Sequence, residues 1–147
     1  DSIFSSTDNN FFLTGVQMEV GPVATEFEQE DFGTTLAKCQ RYYQKWLSDS
    51  VGDSVMTAAA ISDVAFIGDY FLKTSMRSVP TMGTSGTYKA RLKTNDRAIT
   101  GQPSINRATT ENVQIFATIA TDNNESGFAG FLKTDDDDAF LEFIAEL

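Results

Sequence analysis

Between residues 10 and 20 apolar and polar positions alternate as in a half-buried strand. Phe12, Val16, Met18 and Val20 share one face with Thr14, while Gly15, Gln17 and Glu19 point the other way. Gly21-Pro22 ends the run, because proline cannot continue a central ladder, and Val23 to Glu28 forms a short second run. A lone strand is not stable, so it must add to a sheet elsewhere. The expectation is that residues 1–30 carry the terminal strands of an upstream β-domain plus a linker.

The pattern then changes period. Over Asp31 to Trp46, Leu36, Cys39, Tyr43, Trp46 and Leu47 recur at helical spacing and form one apolar stripe. Asp31 or Thr34 can cap its start, and Lys38, Arg41 and Lys45 sit toward the end, where the helix dipole favours cations. Residues 31–48 therefore read as a helical junction. Beyond Leu47 the texture is one of short strands between polar turns. Ala58 to Leu72 places Val64, Phe66, Tyr70 and Leu72 on one face, with Ala65, Ile67 and Phe71 on the other. Ser78 to Thr81 and Gly83 to Gly86 read as turn or edge chemistry. Tyr88 to Leu92 reads as an edge strand guarded by Lys89, Arg91 and Lys93, and Thr94 to Arg107 as a long polar loop. Val113, Ile115, Ala117 and Ile119 alternate, as do Phe128, Gly130 and Leu132, and then Leu141, Phe143, Ala145 and Leu147. Strands at this spacing imply a mainly β chain. The expected form of residues 49–147 is an antiparallel sandwich, jelly-roll-like, or a barrel, preceded by one short α-helix.

Composition narrows the function. The 147 residues are 41% hydrophobic, enough for a core, and carry a formal net charge of −10. There is no histidine, which removes Ser-His-Asp and Cys-His nucleophiles, imidazole bases and His-ligated metals. A single cysteine makes no internal disulfide; Cys39 reads as a packed thiol on the helical stripe, with no base beside it. The negative charge argues against nucleic acid as a partner, and no apolar run reaches the roughly 20 residues of a membrane-spanning helix. Asp1-Ser2-Ile3-Phe4 has neither an initiator Met nor the regions of a signal peptide, so the expectation is a fragment or processed product.

Candidate chemistry is sparse. Asp135 to Asp138 invite a cation, with Asp135 and Asp137 as the candidate ligands, but the spacing is not that of an EF-hand loop. A solvated turn between two strands is the plainer reading. Gly83-Thr84-Ser85-Gly86 lacks the Lys and following helix of a phosphate loop. Tyr42, Tyr88 and Trp46 are aromatics able to stack on sugar rings, although such residues are more often core or subunit contacts. No pair of carboxylates stands out for glycoside hydrolysis, and no cofactor is expected.

Three stretches carry a resemblance. Phe12-Leu13-Thr14-Gly15-Val16-Gln17-Met18-Glu19-Val20-Gly21, then Ala24-Thr25-Glu26-Phe27-Glu28, then Cys39-Gln40-Arg41-Tyr42-Tyr43-Gln44-Lys45 together resemble a linked pattern of phage tail fibre and carbohydrate-binding structural proteins. Met76-Arg77-Ser78-Val79-Pro80-Thr81 is similar to a turn of the same family, and the departure is Glu26, where the family more usually has proline. The resemblance implies the closing strand of an upstream β-sandwich, a helix, and a C-terminal β-domain. It implies a non-enzymatic virion protein, extracellular, that forms a homotrimer, joins other tail proteins and attaches to host cell-surface polysaccharide without inserting in a membrane. In such a trimer Leu36, Cys39, Tyr43 and Trp46 would meet their symmetry mates at an axis. The ligand-binding candidates are Tyr88, Lys93, Arg97 and Arg107, whose cations would suit anionic lipopolysaccharide, or else are ordinary solubilising charges. The other readings are a purely structural fibre or capsid-decorating module, and a depolymerase working through acidic residues.

Overall fold

The computed structural model describes residues 13–120 and 126–146. Helix α1 spans Phe32–Gln40. Nine strands follow: β1 Tyr43–Leu47, β2 Ser54–Ala60, β3 Ala65–Phe71, β4 Thr81–Ser85, β5 Tyr88–Leu92, β6 Asn95–Ala108, β7 Asn112–Ile119, β8 Ala129–Thr134 and β9 Phe140–Ile144. The chain is mainly β and every strand pair is antiparallel. Six strands close into a barrel in the order β2-β3-β7-β6-β5-β8, and the other three form a sheet in the order β1-β9-β4.

Alternation makes the core. Val113, Ile115, Ala117 and Ile119 of β7 all point inward, as their period of two requires, and so do Gly130 and Leu132 of β8. Phe66, Ala90, Leu92 and Ile115 fill the barrel beside Leu132, while Leu141 and Phe143 cover it from the sheet. Tyr70 of β3 stacks on Phe143 of β9 with ring centres 5.0 Å apart, joining the two sheets. Leu141, Phe143 and Ala145 occupy the core face expected of the last strand; Leu147 lies outside the described residues.

Several expected elements differ. The helix stops at Gln40, and Tyr43–Leu47 is a strand paired with β9, Tyr43 opposite Ile144 and Leu47 opposite Phe140. Two adjacent tyrosines and a Trp favour a pleated surface, and pairing with β9 outweighs the helical spacing. Ala58 to Leu72 is two strands, not one, turning at residues 61–64, where the Ile61 N–H donates to the Ala65 carbonyl. Gly83 to Ser85 belongs to β4, and only Gly86 lies in the turn. Tyr88–Leu92 is not an edge, since it lies between β6 and β8. Lys89 and Arg91 face out of a closed wall and pair with Asp96 and Asp135.

The largest difference is Thr94 to Arg107, expected as a loop and found as most of the 14-residue β6. Its polarity belongs to an outward face, and its Gly101 and Pro103 fall where the register with β7 breaks between Thr100 and Ser104. The strand expected over residues 10–20 is absent from residues 13–20, which pair with no strand among the described residues; residues 10–12 lie outside them.

Gly130 shows how tightly the barrel closes. A Cβ there would overlap the carbonyl oxygen of Arg91 on β5. Gly130→Ala should therefore force β5 and β8 apart and destabilise the chain by about 2 kcal/mol or more. Urea unfolding of the variant, compared with Gly21→Ala, where a Cβ comes no nearer than 3.7 Å to the Val23 carbonyl oxygen, checks this; equal midpoints for both variants would contradict it.

Candidate functional site

The residues proposed from sequence scatter when the chain folds. Tyr88 is buried, and its hydroxyl donates toward the carbonyls of Ser85 at 3.0 Å and Phe140 at 2.7 Å. Burial, and secondarily the charge of Asp136, push its pKa well up. It is a core tyrosine tying β5 to β9, so its assignment to ligand binding is corrected. Lys93 sits in the β5–β6 turn with its Nζ 3.8 Å from the centre of the Phe128 ring. Arg97 pairs across the ladder with Ala90 of β5, and Arg107 with Gln114 of β7 at the other end of β6. The three cations thus belong to separate parts of the wall.

The trimer stripe is corrected in the same way. Leu36 and Cys39 lie on α1 and are exposed, whereas Tyr43 and Trp46 lie on β1 with their side chains on opposite faces of the sheet. No single helical face carries all four.

Asp135 to Asp138 form the turn from β8 to β9, and their neighbours explain them. Asp135 accepts an ion pair from Lys89 at 2.7 Å. The Thr87 hydroxyl and backbone N–H donate to Asp136 at 2.6 and 2.5 Å, holding its carboxyl below the usual Asp range. Asp137 is exposed. Among the described residues no cluster of three or more acidic or thiol ligands could hold a metal ion.

The 48–53 turn meets this one. Ser48 is buried and lies 3.1 Å from the Thr134 hydroxyl, and Gly52 N–H donates to the Thr134 carbonyl. The N–H groups of Asp49 and Ser50 donate to Asp53 and hold its carboxyl low as well.

A second cluster is assembled only by folding. At the end of α1, the buried Gln44 donates to the carbonyls of Gln40 and Thr74 and accepts the Lys73 N–H at 2.8 Å. This clamps residues 73–77 against β1. The Arg77 N–H then donates to the Arg41 carbonyl at 2.8 Å, and the Arg77 guanidinium stands 5.6 Å over the Tyr42 ring. Tyr42 was legible as a candidate for sugar stacking; Arg77 was not, because nothing local links position 77 to position 41.

On the outer face of the sheet, Tyr43 donates its hydroxyl to Glu142 at 2.9 Å, which raises the phenol pKa, and Glu142 lies across Gly83. Compared with protein-family models, characterised proteins and solved structures, the chain finds no match in any of the three.

Two outcomes follow from these bonds. Gln44→Leu strands the Lys73 N–H and Thr74 carbonyl, so it should cost about 1–3 kcal/mol in urea unfolding; an unchanged midpoint would remove the clamp. Asp136 and Asp53 have folded pKa values below their unfolded ones, so their contribution is full at neutral pH. It is lost as pH falls through the ordinary Asp range to the lowered folded values. Thermal midpoints between about pH 6 and pH 2 should therefore fall less steeply in Asp136→Asn than in the parent chain.

Proposed function

We propose that this chain is the distal part of a phage tail fibre, a trimeric, non-enzymatic receptor-binding module that attaches to host surface glycan. The linked stretches at residues 12–28 and 39–45 support the family, and one structural observation supports an assembly role. Residues 13–31 precede α1 as an arm without helix or strand, yet this arm and the first residue of α1 carry many large apolar side chains. Leu13, Val16, Met18, Val20, Val23, Phe27 and Phe32 are between 49% and 108% exposed. The β-domain has its own filled core and does not take them up. Large apolar side chains left this exposed, one after another along the arm, fit a place where another body of protein packs.

The arm is locally ordered for such a role. Glu19 accepts the Thr25 hydroxyl and N–H, and the Gln17 amide oxygen accepts the Glu28 N–H, folding the chain back around Gly21-Pro22. The attachment surface then belongs to the β-domain, where loops and sheet faces are polar, and assembly multiplies a modest single site by avidity.

Sedimentation of the full chain at micromolar concentration should give the mass of three copies, and a stable monomer would sink the trimer. Incubated with bacterial envelope polysaccharide, the protein should bind without releasing reducing ends. Release of reducing ends would overturn the non-enzymatic reading in favour of a depolymerase.

A further inference from the structure

The three-stranded sheet has two open edges, β1 and β4. At the two ends of β1, the Ala145 N–H donates to the Tyr42 carbonyl at 2.8 Å and the Ser48 N–H to the Ala139 carbonyl at 2.9 Å. Antiparallel strands bond at every second residue, so in this register Gln44 and Trp46 also turn their main-chain groups to β9. The N–H and C=O groups of Tyr43, Lys45 and Leu47 therefore point away from β9, and among the described residues no main chain meets them. All three residues are exposed. β4 is different: its middle three residues are half-buried and none of its five is charged. β1 is the edge built to accept another strand.

The chain also carries a strand pattern without a ladder. Val16, Met18 and Val20 alternate with Gln17 and Glu19. Gly15, at φ 69°, and Gly21-Pro22 bound the run, so it is five residues long, as β1 is. From residue 13 to residue 30 no main-chain N–H bonds to a main-chain carbonyl among the described residues. The arm's side-chain bonds run within it or to Thr34, Thr35 and Lys38 of α1, and among the described residues none reaches a strand of the same chain.

Charge indicates which body meets the edge. Residues 13–31 hold Glu19, Glu26, Glu28, Glu30 and Asp31 and no Lys or Arg, whereas residues 32–47, which include α1 and β1, hold Lys38, Arg41 and Lys45 and no acid. Opposite charges on two surfaces steer them together and fix their register. Within one chain Lys38 pairs with Glu30, while no ion pair among the described residues engages Arg41 or Lys45. Tyr43 and Leu47, 45% and 52% exposed, leave apolar surface on either side of Lys45. We infer that Val16–Val20 of one copy adds as a fourth strand to the β1 edge of a second copy, with its apolar face beside Tyr43 and Leu47 and the arm's acids toward that copy's α1 and β1 cations. Donor and acceptor are different parts of the chain, so the contact is head-to-tail and closes into a ring where the rotation allows. This rests on the assembly reading and gives that reading a contact.

The test measures amide hydrogen exchange and sedimentation of the full chain across a dilution series. In the assembled form the amides of residues 16–20 and of Tyr43, Lys45 and Leu47 should be protected, and dilution should expose both sets together. Lys45→Pro removes one outward N–H and none of the bonds to β9, so it should weaken assembly at least about tenfold, while Lys45→Ala weakens it less than about threefold. The double variant Gln17→Pro, Met18→Pro alters only the exposed arm, leaves the β-domain folded, and should also weaken assembly at least about tenfold. Equal losses in Lys45→Pro and Lys45→Ala, or assembly of the double variant like the parent, would overturn the added strand and leave the trimer reading standing. Protection that dilution does not change would place the arm on its own chain and overturn the exchange. A dimer with both amide sets protected keeps the exchange and removes the trimer. A parent chain that is a monomer at micromolar concentration, with both amide sets unprotected, removes both.

Discussion

Three passages of chain between sheet and barrel meet at one point, and the rest of the fold hangs on that meeting. The chain crosses from β1 to β2 at residues 48–53, from β4 to β5 at 86–87, and from β8 to β9 at 135–139. Thr87 gives its hydroxyl and N–H to Asp136, and its carbonyl takes the Asp135 N–H. The Ser48 N–H donates to Ala139, and Thr134 exchanges backbone bonds with Gly52 and Asp53. Charge-assisted bonds from N–H groups to carboxylates are the strong kind, and here three of them, two to Asp53 and one to Asp136, close turns that share neighbours. Because these crossings leave the ends of β1, β4 and β8, loosening the junction would free those three strand ends together. The remaining crossing, from β3 to β4, is held separately by Gln44.

This arrangement dictates where a ligand can go. Phe66, Leu92, Val113, Ile115 and Leu132 are fully buried inside or against a barrel of only six strands, so its interior is packed side chain and not a cavity. Recognition is left to the outside: the barrel wall, the outer face of the three-stranded sheet, and the crossings. The wall spends its cations on its own acids, Lys89 on Asp135 and Arg91 on Asp96. The stapled junction spends its carboxylates on backbone N–H groups. The Gln44 crossing instead is held by a buried amide that bonds the backbone of Lys73 and Thr74.

How much of this was legible depends on how local each signal is. The alternation of Val113 to Ile119 and of Leu141 to Ala145 marks a face directly, and the structure buries those residues. The antiparallel, mainly β class follows from repeating that pattern. The helix start was legible too, since Asp31 accepts the Thr34 N–H as a cap should. Its end was not, because Tyr43 and Trp46 fit a helical stripe until β9, a hundred residues away, offers a ladder. In β6 polar residues on an outward face look like a loop until closure of the barrel supplies neighbours on both sides. The Asp135–Asp138 run was legible as a turn, but its engagement with Thr87 was not, because pairing of two turns is a property of the topology.

The same logic bears on charge. Net charge is a sum, and a ligand meets only a local field, damped over about 10 Å by ordinary salt. The carboxylates of Asp31, Asp53 and Asp136 are each turned toward backbone N–H groups, so part of the excess of acid is internal to turns and caps. Arg41 and Arg77 are 36 positions apart in the sequence and share one hydrogen bond in the fold. A net charge of −10 therefore overstates the free acid that a partner would meet at those turns and caps. The sum does still weigh against a nucleic acid, whose repeated phosphates need a long basic track.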